Sequence, residues 1–355
     1  MRRDDNRNLT STEIAKLAGV SRSTISRVIN GYSNVPQKTR DHVMAVIRQY
    51  NYYPHLSGQL LVGKKVGTLG FFWIKGGDGS IAQDDLSSSY LVHVIEAAAR
   101  LGYLTLTCIL ENLDDLTNID WVKKTYMQGR IDAGIFIGVN NDEPVIEELI
   151  AGGQIVGIFD HYHPDDISPN RISVNYEKDT GCKIIKYLHD LGHKKIALLY
   201  GDDNRYSSVT RKQGFLHGMA ECGITVNPEW MCLGGIDDQQ GYIAAKNMIT
   251  KAIAAKELPT AICANNDAVA FGAYKALKEM GIKIPDQISV IGIDGHSRMV
   301  RPSLTTYAFD YYEVFSSLVA RTIAAVEDIE DNPTTEFING RLLERDSIKD
   351  IRGEG

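Results

Sequence analysis

The sequence predicts an α/β protein with a small all-helical N-terminal unit and a larger core of two doubly wound parallel sheets. Apolar residues recur at helical spacing in the first 53 residues. From Val66 onward, short apolar runs alternate with amphipathic segments. The charge also changes sign: residues 1–65 carry a net charge of +7 and the remainder −14, within a whole-chain charge of −7.

The first predicted helix follows Thr10, which is a good N-cap. Glu13, three residues later, completes a capping box. Ile14, Leu17 and Ala18 fall at helical spacing and predict a narrow buried stripe.

A glycine-centred turn leads to the second and third predicted helices. Gly19 can adopt the left-handed conformation that ends a helix, and Ser21 can cap the next one. The second helix is expected to bury its apolar residues and to present its polar ones on the opposite face: Ile25, Val28 and Ile29 against Arg22, Ser23, Ser26 and Arg27. A third helix is predicted to start at Pro36 and to turn Val43, Ile47 and Tyr50 inward.

This pattern is typical of a helix-turn-helix whose second helix enters the major groove of DNA, although an ordinary helical hairpin has the same periodicity. Free N–H groups at a helix N-terminus can approach phosphates. Arg22 and Arg27 are long enough to reach phosphates or base edges. A basic unit attracts phosphates, whereas an acidic core stays off the DNA.

The order of residues favours the DNA-binding interpretation. Residues 14–31 read Ile-Ala-x-x-Ala-Gly-Val-Ser-x-x-Thr-Ile-Ser-Arg-Val-Ile-Asn-Gly, and the pattern continues through residues 35–40, the Tyr52-Tyr53-Pro54 block and Leu61. This order closely resembles the LacI/GalR family of bacterial transcription regulators. The resemblance implies a helix-turn-helix over residues 1–53 and a hinge helix or linker over residues 54–65.

In that family the linker forms a short helix in the minor groove, and a leucine at the position of Leu61 wedges between base pairs, as apolar residues do in other minor-groove binders. Leu60 is expected to pack locally. Gly58 departs from the usual alanine and costs about 1 kcal/mol of helix propensity. We therefore expect Gly58→Ala to tighten operator binding in a DNA titration. The candidate DNA contacts are Thr10, Ser21, Arg22, Ser23, Thr24, Ser26, Arg27, Asn30, Thr39, His55, Ser57, Gly58 and Leu61.

The remainder, residues 66–355, reads as two series of alternating elements. Strands are predicted over residues 66–73, 104–109, 133–139, 155–159, 195–200, 230–233, 261–264 and 290–293. Helices are predicted over residues 90–101, 121–128, 144–151, 179–191, 209–222, 240–254 and 267–280. Two such series predict two lobes, with a ligand site between them at the carboxyl ends of the strands.

This part resembles the periplasmic-binding-protein-like core of the same family, most closely over residues 191–197, 266–273, 284–294 and 302–306. In the family the chain crosses between the lobes three times, and we place the crossings near Asn175, Tyr307 and Phe337. The first lobe is then expected over residues 66–175 and 307–337, and the second over residues 176–306 and 338–355.

The resemblance also implies an effector, and a sugar requires paired polar groups and an apolar face. Arg211, in Arg-x-x-Gly-Phe, matches an arginine that contacts the effector in the family, though it could be a surface residue. Asp294 and Asn266 match polar positions at strand ends, and Asp267 could serve only as a helix cap. Trp73 is as typical of a core residue as of a stacking one. The candidate effector contacts are Trp73, Asp85, Tyr90, Asp160, Arg211, Asn266 and Asp294.

A weaker similarity links Asp84, Asp85, Tyr90 and residues 175–178 to the subgroup that responds to galactose or β-galactosides. Gly295 departs from the second acidic residue of many members, and His161 departs from the usual arginine. The expected function is thus a cytoplasmic, homodimeric repressor of carbohydrate-utilisation genes, released from a palindromic operator by a sugar. The alternatives are a corepressor-dependent regulator, with a purine or a phosphoprotein as corepressor, and a sugar-binding transport protein.

Other classes of protein find little support. There is no apolar run of 18 residues, and the N-terminus lacks the apolar region of a signal peptide. The five cysteines are scattered, with no CxxC pair or Cys/His cluster, which predicts reduced thiols and no metal site. The nine histidines show no catalytic spacing and no nucleophile elbow is present, so we expect neither an enzyme nor a cofactor. The C-terminus has no heptad pattern, which favours a dimer over a tetramer.

Overall fold

The computed structural model describes residues 9–52, 65–75, 85–161, 168–296, 298–329 and 334–353, with the side chains of residues 85–87 excepted. The chain forms two compact units, Met1–Val66 and Gly67–Gly355. The predicted hinge residues His55, Ser57, Gly58 and Leu61 lie outside the described residues. Among the described helices, none is long and apolar enough to cross a membrane.

The described residues of the N-terminal unit form three helices: α1 (Ser11–Leu17), α2 (Arg22–Ile29) and α3 (Gln37–Gln49). The predicted capping box is confirmed, because the Thr10 hydroxyl accepts from the Glu13 amide and the Glu13 carboxylate accepts from the Thr10 amide. Gly19 has φ +61°, as the predicted turn requires. Ser21 caps α2 by accepting a hydrogen bond from the Thr24 amide.

The core of this unit differs from the predicted one at its edges. Leu17 and Tyr50 were expected to be buried, but their exposed fractions are 46% and 42%. Ala15 and Val46 are buried instead, because the buried face of each helix includes these positions and not those of Leu17 and Tyr50. Ile29 and Ile47 are half-buried. Helix α3 begins at Gln37, one residue after Pro36, which forms its N-cap.

In the second unit, the described strands form two six-stranded sheets, which confirms the predicted fold class. In the first sheet the order is β11-β5-β4-β3-β1-β2, and neighbouring strands in the described part of the chain are parallel. Its strands are β1 (Thr68–Ile74), β2 (Leu104–Leu110), β3 (Ala133–Ile137), β4 (Val156–Phe159), β5 (Arg171–Tyr176) and β11 (Thr335–Ile338). Its helices are α4 (Asp85–Arg100), α5 (Leu116–Met127), α6 (Pro144–Ala151) and α11 (Tyr311–Val326).

In the second sheet the order is β12-β10-β9-β8-β6-β7. Among its described strands, β10 and β12 are antiparallel and the other neighbouring pairs are parallel. Its strands are β6 (Ile196–Tyr200), β7 (Met231–Leu233), β8 (Ala261–Ala264), β9 (Ser289–Asp294), β10 (Thr305–Ala308) and β12 (Arg341–Leu343). Its helices are α7 (Thr180–Asp190), α8 (Tyr206–Glu221), α9 (Asp238–Ala254) and α10 (Asp267–Glu279). The central strands are apolar runs buried on both faces, as expected where helices cover a parallel sheet.

The sequence patterns missed four strands and one helix: β5, β10, β11, β12 and α11. Strand β5 carries Arg171, Ser173 and Asn175, all buried, so it lacks the apolar run that marked its neighbours. Arg171 is paired with Glu147, and Asn175 exchanges two hydrogen bonds with the His161 backbone. Tertiary partners therefore make this polar strand stable.

The chain passes between the two sheets after Tyr176, Ala308 and Ile338, one residue beyond each predicted crossing. Tyr307 thus belongs to the second lobe and not to the first, because it pairs with Ile293 and Leu342. One carboxylate joins the three crossings. Glu177 accepts hydrogen bonds from the Tyr307 hydroxyl and from the Gly340 amide at 3.0 Å, and it forms an ion pair with Lys183.

Candidate operator-binding surface and effector cleft

Four of the predicted DNA-contacting residues lie on the polar face of α2. Arg22, Ser23, Ser26 and Arg27 are exposed, as the predicted helical face requires. Arg22 donates to the Ser11 hydroxyl at 3.1 Å, so its guanidinium lies over the start of α1. Arg22 and Ser23 open α2, where free N–H groups favour phosphates, and Arg27 extends the same polar face into its last turn.

Other predicted DNA contacts have local structural roles as well. Thr10 and Ser21 are N-caps, and the Ser21 hydroxyl also bonds to the hydroxyls of Ser23 and Thr24. Asn30 ends α2 and donates to the Ser26 hydroxyl at 3.2 Å. Thr24, Asn30 and Thr39 are half-buried, whereas Thr10 and Ser21 remain exposed.

In the second unit, a cavity of about 230 Å³ lies between the lobes at the carboxyl ends of strands from both sheets. Six of the seven predicted effector contacts line it: Trp73, Tyr90, Asp160, Arg211, Asn266 and Asp294. The seventh, Asp85, begins α4, and its side chain lies outside the described part. A larger cavity of about 970 Å³ on the second lobe contains none of the predicted contacts.

Arg211 lies at the centre of the polar side of the cleft. It projects from α8, donates to the Asn265 carbonyl at 2.7 Å and pairs with Asp294 at 3.0 Å. Its guanidinium carbon lies 4.7 Å from the centre of the Tyr176 ring, which belongs to the other lobe. These contacts align Arg211 in one orientation. Its Nε atom and the Asn265 Oδ1 atom are buried and have no hydrogen-bond partner among the described residues.

Asp160 links the two lobes. It follows β4 of the first sheet, at φ +62°, and its two carboxylate oxygens accept from the Ser207 amide and hydroxyl, each at 2.7 Å. Burial raises the pKa of Asp160, and the hydrogen bond from Ser207 and the charge of Arg211 oppose the rise. The carboxylate is therefore held by a helix start on the opposite lobe.

The helix cap expected at Asp267 is formed by Asn266 instead. Asn266 is the N-cap of α10, accepting from Val269 and donating to the Ile236 carbonyl, both at 2.8 Å. Asp267 instead accepts from the Thr306 hydroxyl at 2.7 Å and from the His296 amide at 2.6 Å. Burial, followed by the charge of Asp294, raises the pKa of Asp267 to about 8.

Aromatic rings form the first-lobe wall of the cleft. Trp73 stacks with Tyr90 at 6.0 Å between ring centres, and Phe159 meets Tyr90 edge to face at 6.2 Å. Trp73 and Tyr90 also belong to the buried core of the lobe. Trp73 is therefore both a core residue and a lining residue of the cleft. An apolar wall of this kind can pack against one face of a ligand.

Several residues that line the cleft were not among the predicted effector contacts, including Tyr176, Ser207, Ser208 and Asn265. Asn265 directly precedes Asn266 at the end of β8, so its position at a strand end was visible in the sequence. Ser207 and Ser208 lie one turn before Arg211 on α8. The predicted helix began at residue 209 and excluded them.

Comparisons with known proteins agree with this architecture. Residues 10–55 match the model of bacterial regulatory proteins of the lacI family, and residues 185–348 match a periplasmic binding protein-like domain. A transcriptional repressor named PurR from Histophilus somni is 30% identical over 301 residues, which cover 84% of this chain and 86% of the relative. PurR from Pasteurella multocida is 28% identical over 351 residues, covering 96% and 98%.

Among solved structures, the lac repressor dimer bound to operator and the anti-inducer ONPF superimposes with a TM-score of 0.76 and 25% identity, covering 97% of this chain and 100% of that one. The helix-turn-helix unit, the two-lobe core and these relatives lead to one conclusion. The chain belongs to the LacI family of bacterial regulatory proteins and is a DNA-binding transcriptional repressor.

Proposed function

We propose that this repressor binds a small, uncharged sugar in the cleft between its lobes and is thereby released from a palindromic operator. The observation that carries the proposal is the pair of buried atoms without a partner among the described residues, Arg211 Nε and Asn265 Oδ1. One is a donor and the other an acceptor, and each is costly to bury unpaired. A hydroxyl group can satisfy both, because it donates and accepts.

The charges of the cleft favour an uncharged ligand. Its lining includes three basic residues, Lys75, Arg205 and Arg211, and Lys75 is paired with Glu111. Arg211 is already paired with Asp294. A phosphorylated ligand would need an excess of basic groups, whereas a sugar could use the acceptors, the donors and the aromatic wall together.

Release from DNA requires that the effector bind one arrangement of the lobes better than the other. Within the cleft, side chains of the two lobes contact each other: Asp160 contacts Ser207, and Arg211 contacts Tyr176. A ligand that inserts among these groups changes the relative stability of the lobe arrangements. We propose that this change reaches the operator-binding helices through residues 54–65.

The proposal includes a homodimer in the cytoplasm, with one α2 helix in each half-site of the operator. Two-fold symmetry of the protein requires a palindromic site. The operator-bound dimer of the related lac repressor supports this arrangement. A corepressor such as a purine is the second candidate, because a flat base could stack on the wall formed by Trp73, Tyr90 and Phe159.

The test is a titration of the purified full chain onto fluorescent DNA that carries palindromes from upstream of its own gene. Sugars and nucleosides are added as a panel at fixed salt, because salt alone changes the affinity. Release by one sugar supports the proposal, and tighter binding with a purine supports the second candidate. Salt-sensitive binding without preference for any palindrome contradicts the operator assignment.

A further inference from the structure

Two helices of the second lobe approach unusually closely, away from the effector cleft. Gly181 of α7 faces Gly214 of α8, and Gly218 of α8 faces Cys182 of α7. A Cβ atom at Gly181 would lie 2.5 Å from the Arg211 carbonyl oxygen, and one at Gly218 would lie 2.9 Å from the Cys182 Cα atom. Only glycine permits this backbone contact. The approach brings Cys182 of α7 beside the last turn of α8.

Three side chains with metal-binding atoms meet there. The Cys182 Sγ atom lies 3.2 Å from Glu221 Oε2, and His217 Nε2 lies 3.5 Å from Glu221 Oε1. His217 and Glu221 are one helical turn apart and so share a face of α8. One ligand atom from each of the three residues lies within 4.8 Å of the others. A tetrahedral site with bonds of about 2.1 Å places its ligand atoms about 3.4 Å apart.

We propose that Cys182, His217 and Glu221 form a zinc-binding site on the outer face of the second lobe. Sulfur, imidazole nitrogen and carboxylate oxygen are all ligands that Zn²⁺ accepts in proteins, and a water molecule would complete the tetrahedron. Cys182 is far in sequence from His217 and Glu221 and lies on another helix, so the sequence did not reveal the three-residue site. They line a cavity of about 430 Å³ that is separate from the effector cleft, and the exposed His217 side chain gives a metal ion access from solvent.

Lys186 sets the affinity of this site. Its Nζ atom lies 2.7 Å from Glu221 Oε2, where it occupies a position that the metal would take. The Lys186 side chain is 53% exposed, so it can turn into solvent at small cost. A thiol binds zinc as the thiolate, so metal binding must also displace the Cys182 proton. We therefore expect moderate affinity, and we expect Lys186→Gln to tighten it several-fold.

The experiment is a Co²⁺ titration of the tag-free full chain under reducing conditions, followed by competition with Zn²⁺. A thiolate ligand gives cobalt a charge-transfer band in the near ultraviolet. We expect one equivalent of Co²⁺ to produce this band and Zn²⁺ to remove it. Cys182→Ser should abolish the band, and Cys232→Ser, a matched change on β7, should preserve it. His217→Ala and Glu221→Gln should weaken metal binding at least tenfold, whereas His189→Ala on α7 should not.

Lys186→Gln is the control for misfolding, because a misfolded protein would not gain affinity for the metal. Absence of the band in the unmodified chain would overturn the proposal. So would an undiminished band in Cys182→Ser, which would assign the thiolate to another cysteine. Equal metal affinity in the unmodified chain and in His217→Ala would also contradict the three-residue site.

Discussion

The Asp160 carboxylate of the first lobe accepts two hydrogen bonds from Ser207 of the second lobe, one from its amide and one from its hydroxyl, each at 2.7 Å. Ser207 lies in the first turn of α8, whose N-cap residue, Arg205, makes no capping hydrogen bond with its side chain. Asp160 therefore supplies from the other lobe the acceptor that the helix start needs, and its charge is favourable at that end of the helix. A residue predicted to contact the effector thus holds the lobes together.

Asp160→Asn and Ser207→Ala are expected to be strongly non-additive. Asparagine tolerates the positive φ of Asp160, so the backbone is preserved while the charge is lost. Each single change should lower the free energy of unfolding by about 1–2 kcal/mol, because the charge-assisted bonds are weakened. The double variant should be little worse than either. A urea-unfolding double-mutant cycle measures the coupling, and a coupling energy near zero would show that the two residues act independently.

Arg211→Lys should weaken the response to the effector while operator affinity without effector stays unchanged. Lysine cannot donate to the Asn265 carbonyl and pair with Asp294 while stacking on Tyr176. We expect at least a tenfold rise in the effector concentration that releases DNA. The matched control is Lys212→Gln, because Lys212 pairs with Asp203 outside the cleft. An effector response equal to that of the unmodified chain would remove Arg211 from the binding site.

Tyr307→Phe tests the contact that joins the three crossings between lobes. The change removes one donor from the buried Glu177 carboxylate, which keeps the Gly340 amide and Lys183. The expected loss in free energy of unfolding is about 1–3 kcal/mol. Hydrogen exchange should accelerate at the Glu177 and Gly340 amides. Tyr187→Phe, at a half-buried tyrosine on α7, is the control and should cost less than about 0.5 kcal/mol.

The stability of the second unit should fall as pH rises from about 4 to about 8. The folded state holds a proton on Asp267 up to a pKa of about 8, mainly because of burial. The unfolded state releases that proton near pH ~3.9, so between these values the folded state binds more protons and loses stability with rising pH. Thermal unfolding across this window measures the slope.

Asp267→Asn should flatten that slope without removing it, because burial also raises the pKa of Asp160 and Asp294. The asparagine can still accept from the His296 amide and can donate to Thr306, so the fold should be retained. An unchanged slope in the variant would show that Asp267 is not the group that titrates.

Arg27→Ala should weaken operator binding, because this exposed side chain lies on the polar face of α2. If Arg27 contacts a phosphate, the slope of log affinity against log salt concentration should become less negative by about 1. The loss of affinity should then be similar for all DNA sequences. If it contacts a base, the cost should be about 1–3 kcal/mol and confined to one operator position. Lys194→Ala, an exposed cation of the second unit, should change neither quantity.

The helix-turn-helix could be predicted because its signals are local. The capping box of Thr10 and Glu13 and the turn at Gly19 depend on residues within about four positions, which sequence patterns capture directly. The alternation of strands and helices likewise follows from short apolar runs. These features, together with the order of residues, determined the fold class and family in advance.

Tertiary structure alone decided the partners of the polar groups. Asp160 and Ser207 are 47 positions apart, and Cys182 reaches Glu221 across 39 positions. The polar strand β5 and the exposed Leu17 depend equally on which surfaces the neighbouring elements cover. Sequence periodicity shows which residues share a face of one element, but the packing of elements determines what each face meets. The strand-end residues that line the cleft could therefore be predicted from the sequence, whereas the contact of Asp160 with the opposite lobe is visible only in the fold.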